Sequence, residues 1–324
     1  MAKRRHLAAE WLELVLLSAL TEPTMKRRQF LKSASAATIS LPLFLQSSHA
    51  KEQPGVKEYF DTIGLQVWTV RNQLEKDIPG TLKAIADAGY HQIELGRVLE
   101  ADKYIPIAND LGMKVTSSFI DWQAIGNPTA DGAADMDKII EKGKELGLKH
   151  IVFGYIGKGH RETADHYKAH AERANKAGEK CKQAGMQLCY HNHSFEFTDL
   201  GDGKTGWDLL VEHFDDELVK FEVDVFWVKV GGRNPIKTMR ELKGRISQVH
   251  LKDMKKGTGT ILDEGKVPND AFQELGDGVI NMQKVMQVAY KMGAEQCHVE
   301  QDQSPDPIKS IAQSYGHLQE LKGA

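Results

Sequence analysis

Short apolar runs of strand length alternate with longer stretches of helical period along most of this chain. Residues 62–70 (Thr-Ile-Gly-Leu-Gln-Val-Trp-Thr-Val) form the first strand candidate, and the helix after it sets Leu82, Ile85 and Ala86 at helical spacing and closes at Gly89. His91 to Leu95 reads as a second strand. A helix near 101–111 ends at Gly112 before the strand Lys114 to Ile120, and one near 132–146 ends at Gly147 before His150 to Gly154. A long helix, about 161–184, ends at Gly185 before an apolar run that starts at Gln187. Helices near 206–214, 235–243 and 281–292 precede the strands Val219 to Val225, Ile246 to Leu251 and Gln296 to Glu300. In the last of these helices Met282, Val285, Met286, Ala289 and Met292 mark a buried face. Eight strands alternating with helices and no internal linker predict an α/β protein, a single (β/α)8 TIM barrel over residues 62–324, in preference to an open sheet.

A barrel of this kind carries its chemistry at the C-terminal ends of the strands, and that is where the ligand-type residues fall. The fifth strand delivers Tyr-His-Asn-His, and period-2 geometry points His191 and His193 to the same side. Asp224, His250 and Glu300 each close a mostly apolar run. A mixed imidazole and carboxylate set suits Mn2+, Zn2+, Co2+ or Fe2+, whereas an all-oxygen set suits Mg2+ or Ca2+. Any one of these residues alone reads as a satisfied buried polar group. Taken together they call for a cation, because several unpaired ionisable groups along one axis would cost several kcal/mol.

Composition narrows the partners. The 324 residues carry 42 Lys/Arg and 45 Asp/Glu for a formal net charge of −3, so no basic field holds a polyanion. Cys181, Cys189 and Cys297 have no metal-type spacing and read as buried apolar fillers. Near the N-terminus, Met25 opens Lys-Arg-Arg-Gln-Phe-Leu-Lys, followed by a mild apolar segment and Ser48-His49-Ala50, the pattern of a twin-arginine (Tat) export signal with cleavage after Ala50. On this reading residues 1–24 are an extension ahead of the true start at Met25, residues 25–50 are the signal, and residues 51–61 are a short leader. The expected location is the periplasm. The exported chain would keep 35 Lys/Arg and 42 Asp/Glu, a net of −7. No stretch reaches the ~18 apolar residues of a membrane span.

His-Asn-His-Ser-Phe-Glu-Phe (191–197), Glu-Val-Asp-Val-Phe-Trp (222–227), Val-His-Leu-Lys-Asp (249–253), Leu-Gly-Asp-Gly-Val-Ile-Asn (275–281) and Val-Glu-Gln-Asp (299–302), in that order, resemble the sugar phosphate isomerase/epimerase group of the xylose isomerase-like TIM barrels. Gly-Leu-Gln-Val-Trp-Thr-Val-Arg at 64–71 matches as well, so the resemblance covers about 62–320. It implies one divalent metal held by Glu, Asp, His and Glu from strands five to eight. Three positions carry over as Asp224, His250 and Glu300. The strand-five glutamate falls at or near His191, so imidazole replaces carboxylate there, or His193 or Glu196 is recruited. That departure puts the two-glutamate proton relay of such enzymes in doubt.

Around the expected metal, Trp68 and Trp227 offer flat faces for a sugar ring, and Lys252 shares a strand face with His250, where it could neutralise an enolate oxygen. Glu94 and Asp253 are further substrate-side candidates. Glu222 and His298 lie two residues deeper on ligand-bearing faces and read as core or as support for the ligands. His160, His166 and His170 read as solvated, on or beside a long polar helix. The expected activity is enolisation of an unphosphorylated keto-sugar, with Glu300 moving the proton, leading to isomerisation, epimerisation or cleavage of a 3-keto-glycoside. A small sugar or glycoside is the expected partner, without nucleic acid, and a homo-oligomer is compatible. Two rival readings are a metal-cluster nuclease of the endonuclease IV type, which the net charge opposes, and a non-catalytic sugar-binding barrel.

Overall fold

The computed structural model describes residues 59–201 and 203–323; the segments expected to be an extension, an export signal and most of a leader lie outside the described residues. Eight parallel strands close a barrel: β1 (Gly64–Gln66), β2 (Gln92–Leu95), β3 (Lys114–Phe119), β4 (His150–Phe153), β5 (Gln187–His191), β6 (Val219–Asp224), β7 (Ile246–Leu251) and β10 (Gln296–Val299). The ring closes where β1 pairs with β10, Gly64 opposite His298. Between β7 and β10, the two-residue strands β8 (Asp253–Met254) and β9 (Phe272–Gln273) form a small antiparallel sheet over the barrel mouth.

Local chemistry explains the boundaries. Asp77, Thr163, Thr205, Asn234 and Asn281 each accept a backbone N–H from the first turn of the helix that follows. Gly147 and Gly185 sit at φ 72° and 84°, a left-handed conformation that stops a helix at little cost only for glycine. The first strand is shorter than its apolar run predicts. Gln66 turns its side-chain oxygen onto the Trp68 N–H at 3.0 Å, starts a 3-10 turn over Val67–Val70, and takes Trp68 out of the sheet.

Period-2 alternation sends Ile93, Leu95, Ile151, Phe153, Leu188, Tyr190, Phe221, Val223, Val249 and Leu251 outward against the helices, all buried. The other set faces the barrel axis and is polar: Gln92, Glu94, Ser117, His150, Glu222, Gln248, His250, Gln296 and His298, likewise buried. Such an interior is tolerable only when its groups bond one another. Gln92 Nε2 donates to Gln296 Oε1 (2.9 Å), Thr116 donates to the same oxygen (2.9 Å), and Gln248 Nε2 donates to Ser117 (3.1 Å). The apolar core lies between this ring and the outer helices, where Met282, Val285, Met286 and Ala289 are buried as their spacing predicts. All three cysteines are free and buried. His170 departs from expectation: it is buried, with a ring nitrogen 2.6 Å from the His160 carbonyl and Arg173 packed against the other side.

Candidate active site

The strand register brings the ligand candidates together. Asp224 pairs with His250 across β6 and β7, His250 with His298 across β7 and β10, and His191 with Glu222 across β5 and β6. Each of His191, Asp224, His250 and Glu300 offers one ligand atom, and these atoms all lie within 4.8 Å of one another. His191 Nε2 stands 3.4 Å from Asp224 Oδ2; His250 Nδ1 stands 3.0 Å from Glu300 Oε2 and 3.9 Å from Asp224 Oδ2.

Asp224 is aimed from behind. Its Oδ1 accepts the Trp227 N–H at 2.9 Å and caps the helix Val225–Val230, which leaves Oδ2 to the cluster. Asn192 clamps the same turn, accepting the Asp224 N–H at 3.0 Å and donating to its carbonyl at 3.3 Å. That asparagine between the two histidines is a positioning residue that sequence reading passed over. His250 is aimed too: its Nε2 lies 2.7 Å from Glu94 Oε2, and Glu94 also accepts from Gln66 (2.9 Å) and Ser117 (2.5 Å). A carboxylate behind an imidazole fixes its tautomer and leaves the other nitrogen free to ligate.

Lys252 is fully buried, with Nζ 2.8 Å from Asp302 Oδ2, 2.7 Å from Glu300 Oε2 and 3.1 Å from Asp224 Oδ2. Its Nζ also lies 5.3 Å from the centre of the Trp227 ring and 6.0 Å from that of Phe272. Burial disfavours the ammonium, but Asp224, Asp302 and Glu300 outweigh it and raise its pKa. Burial likewise opposes the charged forms of Asp224 and Glu300; Lys252 leads the groups that nonetheless hold both below the usual carboxylate range. Asp302 goes the other way, pushed up to about 6 by burial, with the Glu300 charge adding to it and Lys252 pulling against it. Sequence reading missed Asp302. The available signal was its position two residues beyond Glu300, on the same face.

Above the cluster opens a cavity of about 440 Å³ lined by Trp68, His191, His193, Trp227, Lys252, Glu300 and Asp302 among others. Six of the sequence-expected site residues therefore reach it. His193 lies beyond the end of β5, yet its ring sits 5.1 Å from that of His191 because Glu196 accepts the His193 N–H at 3.0 Å and folds the turn. Glu94, Glu196 and Asp253, expected at the substrate, are not part of the lining. Glu94 stands beneath His250. Glu196 faces the Tyr190 hydroxyl at 2.7 Å, and burial pushes its carboxyl up to about 7. Asp253 accepts the N–H groups of Met254, Gly276, Gly278 and Ile280 at 2.8–3.1 Å, so this carboxylate latches the 275–281 loop. On the opposite wall, Tyr155 and Arg161 both bond Glu264, joining the loops after β4 and β8 across the mouth.

The donor set fits a divalent cation. A cation about 2.0–2.2 Å from each ligand atom sets neighbouring atoms about 3–4 Å apart, the range seen between the cluster's ring nitrogens and carboxylate oxygens. Both ring nitrogens of His191 are buried and make no hydrogen bond, and Asp224 Oδ2, buried and likewise without one, is met by the Lys252 ammonium as an ion pair at 3.1 Å. A second buried group, Glu94, Glu222, His250 and His298, lies one layer deeper and shares His250. The charge on His250 leads the groups that lower the Glu222 pKa against its burial.

A parallel eight-stranded barrel with imidazoles and carboxylates gathered at its C-terminal mouth defines the class. The sequence pattern of the xylose isomerase-like TIM barrel family matches residues 82–321, and the chain belongs to that family. Its relatives include an inosose dehydratase of Clostridium tetani, 29% identical over 171 residues (49% of this chain, 55% of that protein), and one of Clostridium beijerinckii, 25% identical over 205 residues (55% and 67%). This chain thus spans little more than half the length of the first of them. Among solved structures, a sugar phosphate isomerase/epimerase from Parabacteroides distasonis superposes with TM-score 0.65 at 24% identity, covering 79% of this chain and 93% of that one. An L-ribulose 3-epimerase superposes with TM-score 0.56 at 16% identity (81% and 94%). Both are likenesses of fold.

Proposed function

We propose that this protein is a metal-dependent enzyme that enolises an unphosphorylated keto-sugar, as an isomerase or epimerase. The observation that carries the reading is the ring of His191, Asp224, His250 and Glu300, with three buried atoms lacking hydrogen bonds, at the floor of the cavity. A divalent cation held there would supply Lewis-acid polarisation of a carbonyl and its neighbouring hydroxyl. Glu300 lines the cavity, where its carboxylate removes the proton from the carbon beside the carbonyl and returns it. The Lys252 ammonium faces the oxygen on which negative charge then develops. Trp227, beside Lys252 in the lining, covers a face of the ring.

Support for an unphosphorylated substrate comes from the lining, in which Lys252 is the one Lys or Arg and already contacts three carboxylates. The export reading agrees with it, and replacing Arg27 and Arg28 by lysine should hold the protein in the cytoplasm. Proton NMR of the metal-loaded protein in deuterated water should show exchange at the carbon beside the carbonyl of a free ketose. A second outcome from the same site is β-elimination from a 3-keto-glycoside, since loss of the C2 proton can expel the group on C1; the inosose dehydratase relatives favour keeping it in view. Absence of exchange with a ketose or a 3-keto-glucoside would overturn the enolisation reading and leave a sugar-binding barrel.

A further inference from the structure

The cavity has two unlike halves. The strand ends of β5, β6, β7 and β10 supply His191, His193, Lys252, Glu300 and Asp302, with Trp227 as the aromatic exception. The ends of β1 to β4 supply Trp68, Phe119, Trp122 and Tyr155, with Gly96 and Gly154 between them. The aromatic half is built rather than incidental, because backbone has been cleared to seat its rings. A Cβ on Gly157 would lie 2.4 Å from Trp122, one on Gly126 2.5 Å from Trp122, and one on Gly154 2.1 Å from Phe119. Trp68, on the same half, is 50% exposed even though the Arg71 guanidinium sits 4.5 Å from its ring. The volume of about 440 Å³ equals the room of about fifteen waters at ~30 Å³ each, more than one pyranose ring fills.

From this division we infer that the substrate carries a second flat, uncharged ring, joined through a glycosidic oxygen, and that Trp122 and Trp68 receive it. The inference rests on the keto-sugar reading and narrows it to a glycoside. A keto-sugar ring placed at the His191, Asp224, His250 and Glu300 cluster leaves its C1 substituent directed to the remaining half, where aromatic faces suit either the C–H face of a second sugar or an aryl group. Asp121, paired with Arg97 at 3.6 Å, is the carboxylate on that side available to sugar hydroxyls.

The test is calorimetric binding to the metal-loaded protein with three probes: 3-keto-glucose, a phenyl 3-keto-glucoside and a 3-keto disaccharide of two glucose units. One or both ring-bearing probes should bind about tenfold or more tightly than 3-keto-glucose. A gain for the phenyl probe alone identifies an aryl aglycone, and a gain for the disaccharide alone identifies a second sugar. Trp122→Ala should reduce that gain to less than about threefold. Trp68→Ala, at a half-exposed position that folding does not depend on, should reduce it as well and serves if Trp122→Ala fails to fold. Equal affinity for all three probes, or a gain that survives both substitutions, overturns the second-ring site and leaves the keto-sugar reading standing. Failure of every probe to bind overturns both.

Discussion

Lys252→Met tests whether the ammonium acts as an internal counter-cation for the carboxylate cluster. Lysine is fully buried there, 2.7 Å from Glu300, 2.8 Å from Asp302 and 3.1 Å from Asp224, and methionine, unbranched and of similar length, keeps most of the volume without the charge. In metal-stripped protein the substitution leaves three carboxylates without their ammonium, and breaking a buried pair by removing one partner costs about 3–5 kcal/mol. At about 2–4 °C per kcal/mol for a domain approaching this size, the melting temperature should fall by about 6–20 °C. Metal binding should change in the opposite direction. Like charges about 4 Å apart oppose each other by about 4 kcal/mol per unit charge at an effective dielectric of 20, and a third of that relief is about tenfold in affinity. Calorimetric melts of stripped and metal-loaded protein, with a chelator competition for affinity, read both effects. A stripped variant that melts within about 2 °C of the parent, or one that binds metal no more tightly, refutes the counter-cation argument.

Other expected outcomes concern the ligands, the loop latch and pH. Asp224→Ala, His250→Ala, Glu300→Ala and His191→Ala should each lose bound metal on desalting, read by elemental analysis; retention by His191→Ala with loss by Glu196→Ala would move the strand-five ligand. Asp253→Ala gives up four charge-assisted bonds to backbone N–H groups, so it should cost about 3 kcal/mol or more, visible in denaturant midpoints; a change below about 0.5 kcal/mol would show that the 275–281 loop holds itself. Burial lowers the His170 pKa to about 4, against about 6.5 in an unfolded chain. The folded protein therefore resists a proton that the unfolded chain accepts, and stability falls as pH drops from about 6.5 towards 4, by about 3 kcal/mol in all, then levels off. His170→Gln should remove that part of the pH dependence, and an unchanged profile would show that His170 takes up its proton equally readily in the folded and unfolded chain.

Much of the barrel was legible in the chain. Strand and helix periods, helix-ending glycines and capping residues are local features, so the eight-strand order and the ends bearing His191, Asp224, His250 and Glu300 could be read without coordinates. Local pattern also contained the reasons some readings went astray. A carboxylate at a strand end looks alike whether it lines the cavity, as Asp302 does, or latches a loop, as Asp253 does; the difference lies in N–H groups more than twenty residues away. His170 looked solvated on a polar helix because the loop carbonyl that meets it belongs to His160, ten residues earlier in the chain.

What the sequence determined by itself is therefore the alternation of elements, and with it the barrel and the strand ends where polar residues gather, because period and capping depend on neighbours along the chain. Tertiary structure decided which of those residues meet. Closing the ring put Glu94 behind His250, set Lys252 among three carboxylates, and placed an aromatic half of the mouth opposite a charged one. Ring closure joins strands as far apart in sequence as Gly64 and His298, and only the register of a closed sheet fixes such contacts.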